Sequence, residues 1–213
     1  MIMAIISVEH VSLTIGAAQI LRDVSAQFEP GQIHGIVGRN GSGKTMLMKC
    51  ICGFIRPTSG QIVVDGKQVG QDVDFPPDMG LLIETPGFVP YYSGLKNLEL
   101  LAAINRRASR ERLVACIEQI GLGDAKDKRV SKYSMGMRQR LGIAQAIMED
   151  PRLLILDEPL NGLDEQGVQD IRALLLELKR QGKTILLSSH NGEDIELLCD
   201  SVCKMAAGVL TRQ

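Results

Sequence analysis

The run "IHGIVGRNGSGKTMLMKCICGFI", residues 33–55, decides the fold. It opens as a short apolar segment, the pattern of a buried strand, and breaks at "GRNGSGKT", residues 38–45. A helix-like apolar stretch follows and stops near Gly53 and Pro57. The break fits G-x-x-x-x-G-K-[ST] and has a strand before it and a helix after it, as that pattern requires. Gly38, Gly41 and Gly43 let backbone N–H groups turn inward onto phosphate oxygens. The start of the helix adds partial positive charge. On this reading Gly38, Arg39, Asn40, Gly41, Ser42, Gly43, Lys44, Thr45 and Met46 cradle the phosphates of a nucleotide. Lys44 is expected on the β- and γ-phosphates and Thr45 on Mg2+. The bland alternative is a glycine-rich turn with a chance lysine, and the flanks on both sides count against it.

Such a loop needs an acidic partner at a neighbouring strand end. "RLLILDEP", residues 152–159, supplies one. Asp157 is expected to hold Mg2+, directly or through water, and Glu158 to orient and deprotonate the attacking water. A surface strand ending in two acids is common in isolation, less so beside a phosphate loop. His190 closes another apolar strand, "KTILLSSH", at the end where parallel sheets place their ligands. We read it as a γ-phosphate contact and take His10 and His34 as structural.

Working outward, "AIISVEHVSLTI" and "VSAQFEPGQ", residues 4–15 and 24–32, read as strands, with turns at Gly16 and Pro30-Gly31. "GQIVVDGKQVG" reads as a hairpin about Asp65-Gly66. Between about residues 84 and 148 the character turns helical. Leu113, Cys116, Ile117 and Ile120 form one apolar stripe closed by Gly121. Ile171, Leu174, Leu175 and Leu178 mark a second amphipathic helix ending at Gly182. Strands alternating with helices predict an α/β fold with a mostly parallel sheet. To it are joined an N-terminal antiparallel β subdomain and an inserted helical lobe, in a single domain over residues 1–213.

The 24 basic and 25 acidic side chains nearly cancel, which gives no argument for a nucleic-acid surface. Apolar runs are far short of the roughly 20 residues of a membrane helix. The five cysteines lack the spacing of common zinc sites and read as reduced thiols packed in a core.

Phosphate loop, "YSMGMRQ" at residues 133–139, "LLILDEP", "NGLD" at residues 161–164 and "SSH" follow one another in the order of an ATP-binding-cassette (ABC) ATPase. The chain resembles that P-loop NTPase family over nearly its whole length. The resemblance implies an ATP- and Mg2+-dependent ATPase that works as a homo- or heterodimer. Ser134, Gly136 and Gln139 would meet the ATP held by the other subunit, with Asp164 at the seam. Geometry points the same way, because a helix from Ser134 to about Met148 spans roughly 22 Å and carries its start away from the chain's own phosphate loop. The resemblance also implies a membrane-spanning permease partner and a peripheral place on the cytoplasmic face of the membrane.

There are departures from the family pattern. Glu84, in "GLLIETPGF" at residues 80–88, stands where a glutamine is usual, and we expect it at the metal. With the following "TPGFVPYYSGLKNLEL", the usual region of permease contact, it resembles bacitracin- and lantibiotic-type exporter ATPases. Ile15 stands where adenine usually stacks on an aromatic ring, so weaker and less selective base binding is expected. Tyr133 and Met135 alter the usual Leu-Ser-Gly-Gly-Gln signature. Besides a transporter ATPase, an ABC ATPase of iron–sulfur or cytochrome assembly stays open; Lys44, Glu158 and His190 argue against a module that uses ATP only to dimerise.

Overall fold

The computed structural model describes residues 4–213. β1 (Ile6–Ile15) and β2 (Ala18–Phe28) form a hairpin about Gly16 and precede β3 (Ile33–Val37). The phosphate loop leads into α1 (Lys44–Ile51). β4 (Ser59–Val64) and β5 (Lys67–Gln68) make the expected hairpin, and β6 (Met79–Leu82) follows. Three helices, α2 (Gly94–Asn105), α3 (Arg110–Gln119) and α4 (Met135–Ile147), separate β6 from β7 (Leu153–Asp157). The chain closes with α5 (Glu165–Arg180), β8 (Thr184–Ser189), α6 (Gly192–Leu198), β9 (Ser201–Ala206) and β10 (Val209–Arg212).

One sheet is antiparallel, in the order β2-β1-β4-β5. The other has the order β10-β9-β3-β8-β7-β6 and is parallel except for β10. This is the expected α/β arrangement of a P-loop NTPase. The period-2 alternation of its strands feeds two cores. Leu154, Leu156, Ile185 and Leu187 point to one face, with the stripes of α3, α4 and α5. Leu153, Ile155 and Leu186 point to the other, against α1 and the antiparallel sheet. Helices or strands cover both faces, so β7 is buried at every residue and reads as an unbroken apolar run.

β2 begins six residues before the expected Val24. Its first half hides the strand pattern because both strands of the hairpin bulge. Asp23 and His10 take positive φ, 50° and 51°, the pairing register shifts there, and His10 Nδ1 lies 2.8 Å from Asp23 Oδ1. β6, β9 and β10 were not foreseen; β6 and β10 are four residues each, too short to show a period. His34 is buried, as a structural histidine should be. Its Nε2 is 2.8 Å from the Glu29 carbonyl oxygen and its Nδ1 2.7 Å from Ser201 Oγ, and burial lowers its pKa. The cysteines form no disulfides; four are buried and Cys199 is partly so.

β6 passes very close to α4. A Cβ placed on Gly80 would collide with the Ala146 carbonyl oxygen and lie 2.7 Å from Leu154 Cδ2. Backbone on one side and core on the other leave no room to yield. Gly80→Ala is therefore expected to destabilise the fold by about 3 kcal/mol, the upper part of the overpacking range. For a domain of this size that corresponds to a fall in Tm of about 6–12 °C. Thermal unfolding followed by circular dichroism checks it, and an unchanged Tm would show that the two elements separate easily.

Candidate functional site

The cleft forms where β3 and β7, which flank β8, end at the same edge of the sheet. The loop after β3 turns on glycines at positive φ, Gly41 at 77° and Gly43 at 113°. Gly38 is needed for a different reason. A Cβ there would strike the Met205 carbonyl oxygen and come within 2.7 Å of Ser42 Oγ. Lys44 arches over the loop and is only 5% exposed. Its Nζ donates to the Gly38 carbonyl at 2.7 Å and lies 3.5 Å from Glu158 Oε1. Ser42 Oγ is buried without a hydrogen-bond partner in the protein, a polar atom that a phosphate oxygen would satisfy. Ile20, residues 39–46, Asp157 and Glu158 line the cleft.

Across the loop, Thr45 Oγ1 donates to Asp157 Oδ2 at 2.6 Å. A hydroxyl and a carboxylate are hard oxygen donors of the kind Mg2+ takes, with phosphate oxygens and water completing its shell. No cluster of three or more His, Cys, Asp or Glu side chains suited to a metal occurs among the described residues. One hydroxyl and one carboxylate fit an ion that completes its shell with the oxygens of a nucleotide.

Ser188 on β8 is a site residue that sequence reasoning passed over. Its Oγ donates to Asp157 Oδ1 at 2.5 Å and accepts from the Glu158 N–H at 3.0 Å. It thereby fixes the turn on which Glu158 sits, at φ 49°, a left-handed conformation uncommon for glutamate. Nothing in "SSH" marks this serine apart from its neighbour Ser189. Glu158 Oε2 lies 2.8 Å from His190 Nδ1, while Oε1 is buried without a hydrogen-bond partner. One carboxylate thus stands between the loop lysine and the strand-end histidine.

Other expected residues are placed elsewhere. Glu84, expected at the metal, is 61% exposed on its side chain and pairs with Lys49 Nζ at 2.6 Å. The Lys49 ammonium on α1 supplies its counter-charge, and Glu84 does not line the nucleotide cleft. Gln139, expected on the other subunit's ATP, turns inward. Its Nε2 donates to the carbonyls of Glu158 and Pro159 at 3.0 and 3.2 Å, groups that the sharp turn after β7 leaves without ladder partners. Ile15 is half exposed and does not line the cleft, whereas Ile20 does.

Ser134 caps α4, accepting from the Met137 N–H at 3.2 Å, and a Cβ on Gly136 would come within 2.8 Å of the Gly162 carbonyl oxygen. Neither lines the chain's own cleft. Asp164 caps α5 through the Gly167 N–H at 3.1 Å and is exposed on its other side. Tyr133 is buried, and its hydroxyl donates to the Ala125 carbonyl at 2.7 Å, which accounts for an aromatic residue at this place.

A glycine-turned loop under a buried lysine, facing a strand-end Asp-Glu pair, defines a P-loop nucleoside-triphosphatase. The family described as ABC transporter matches residues 21–161. An uncharacterized ABC transporter ATP-binding protein of Bacillus subtilis, YybJ, is 43% identical over 96% of this chain and 94% of its own length. The bacitracin transport ATP-binding protein BcrA of Enterococcus faecalis is 38% identical over 98% of this chain and 68% of its own length. Among solved structures, cbiO1 of Clostridium perfringens, part of the ABC transporter complex cbiONQ, has a TM-score of 0.81. It is 28% identical and covers 98% of this chain and 87% of its own. The chain belongs to the ABC transporter family. It is an ATP-binding subunit of such a transporter, and an ATPase.

Proposed function

We propose that this chain drives export of a drug, peptide or antibiotic through a separate membrane-spanning permease. Two copies, or this chain and a related one, would close head to tail around two ATP at the cytoplasmic face of the membrane. The observation that carries the export reading is the likeness to the bacitracin transport protein over 98% of this chain.

In this reading the loop N–H groups and Lys44 bind the β- and γ-phosphates, and Thr45 with Asp157 holds Mg2+. The ion would neutralise charge on the phosphate oxygens. Glu158 takes a proton from water as the water oxygen bonds to the γ-phosphorus and the bond to the β-phosphate oxygen breaks, leaving ADP and inorganic phosphate. His190 has one ring nitrogen on Glu158, and the other is left for the γ-phosphate. Ser134 and Gly136 face the partner's γ-phosphate, so ATP bridges two chains until it is cleaved. Asp164 lies at their seam.

No helix among the described residues is long and apolar enough to cross a membrane. In the proposal that part belongs to the permease, which docks in a 350 Å³ groove whose walls include Phe54, Ile83, Phe88, Val89 and Leu100. Its apolar walls suit the side chains of a short permease segment.

The test is co-purification. Tagged Glu158→Gln protein, expressed in its native host and extracted with mild detergent, ATP and Mg2+, is expected to bring down a polytopic membrane protein. Recovery of soluble partners alone, with none of the tagged chain at the membrane, would overturn the permease assignment.

A further inference from the structure

The proposed mechanism uses His190 but not the charged pair behind it. Asp194, in the first turn of α6, is only 4% exposed. Its Oδ1 accepts from Arg172 Nε at 3.0 Å and from Nη2 at 2.5 Å. Its Oδ2 accepts from Ser189 Oγ at 3.3 Å, and that same Oγ accepts from the Asn191 N–H at 3.0 Å. The bonds therefore run from α5, through α6, to the residues on either side of His190. Arg172 also reaches Glu193, at 3.3 and 3.4 Å. Ile171, Leu174, Leu175 and Leu178 seat α5 in the core, so the guanidinium is carried by a fixed element.

Packing does not immobilise the loop on its inner side. A cavity of about 110 Å³ lies there, its walls including Glu158, Ser188, His190, Asn191 and Asp194. The polar chain must then set the direction of the His190 ring. A planar guanidinium is suited to this, because its fixed N–H directions orient a carboxylate where a lysine holds only a point charge. Neither Arg172 nor Asp194 lines the nucleotide cleft, so neither is a contact of ATP itself.

We propose that Arg172, acting through Asp194 and Ser189, is a positioning residue that holds His190 against Glu158. The inference rests on reading His190 as the partner of the candidate base.

The test is Arg172→Met, which keeps the aliphatic stem and deletes the guanidinium. Expected is a fall in kcat of about 10-fold with KM for ATP within about twofold, since a misplaced group costs turnover more than ground-state binding. Arg172→Lys, which keeps the charge but loses the fixed fork, is expected to recover only part of kcat. The chain has three histidines, so long-range proton–nitrogen NMR reads each imidazole separately. In Arg172→Met the His190 nitrogens are expected to shift or broaden while those of His34 stay fixed. His34, bonded to Ser201 and Glu29, is the internal control for an intact sheet.

Unchanged His190 signals would overturn the proposal, and so would His34 signals that move together with them. If Arg172→Met does not fold, Asp194→Asn carries the same comparison with the same outcomes. The spectra do not depend on turnover. A His190→Ala enzyme of normal activity would sink the catalytic role of His190 while the spectra still judge the brace.

Discussion

Glu158→Gln is expected to slow ATP hydrolysis by about 100-fold or more, the loss that follows removal of a positioned general base. The amide keeps the size of the carboxylate and can still offer an oxygen to His190, 2.8 Å away. It cannot accept the proton of the attacking water. ATP binding should survive, because the substitution removes a negative charge 3.5 Å from the lysine expected at the phosphates. With binding intact and cleavage blocked, ATP should hold two chains together. Gel filtration of the variant with ATP is then expected to show a dimer that wild-type protein loses as it hydrolyses the nucleotide. Wild-type turnover in the variant would remove Glu158 from the role of base.

Lys44→Met is expected to fail one step earlier. Hydrogen bonds to charged groups contribute roughly 1.5–3 kcal/mol each, so a lysine serving the β- and γ-phosphates accounts for about 3–5 kcal/mol of binding. Its loss should weaken ATP binding by about 10²–10⁴-fold. The fold should remain close to intact. The contacts that Nζ makes inside the protein are to the Gly38 and Arg39 carbonyls at 2.7 and 3.5 Å and to Glu158 Oε1 at 3.5 Å, all on residues of or beside the cleft, where water can replace the ammonium. Titration calorimetry with ATP separates this variant from Glu158→Gln. One retains the nucleotide without cutting it, and the other does not retain it. Equal affinity in both would mean that the lysine meets no phosphate.

The phosphate loop was legible because its chemistry is local. A tight turn, a lysine and a hydroxyl must follow one another in sequence, between a strand and a helix. Asp157 and Glu158 were legible for a related reason, since β7 is buried on both faces and its apolar run ends abruptly in charge. Ser188 was not legible. It joins Asp157 to Glu158 across neighbouring strands, at a sequence distance of about thirty residues, and nothing in "LSSH" separates it from Ser189. The present partners of Glu84 and Gln139 were not legible, because they are set by competition between neighbours. Lys49 draws the one, and the carbonyls of Glu158 and Pro159 after β7 draw the other. Pattern reading finds the element that carries a side chain more readily than the atom on which that side chain settles. β2 shows the same limit for backbone, where paired bulges at His10 and Asp23 erase an alternation that the hydrogen bonds keep.

The buried thiols have a practical consequence. Burial pushes Cys50 up to about 11 and both Cys52 and Cys199 up to about 12, and it raises Cys116 and Cys203 as well. Near neutral pH, a thiol at 11 or above is ionised in only about one molecule in ten thousand. Alkylating dyes react with the thiolate, so the native cysteines are a quiet background for them. A single cysteine introduced on the exposed surface, at Met135 for instance, would be the preferred attachment point for a fluorophore. The start of α4 could then be watched during turnover without first stripping the protein of its own sulfur.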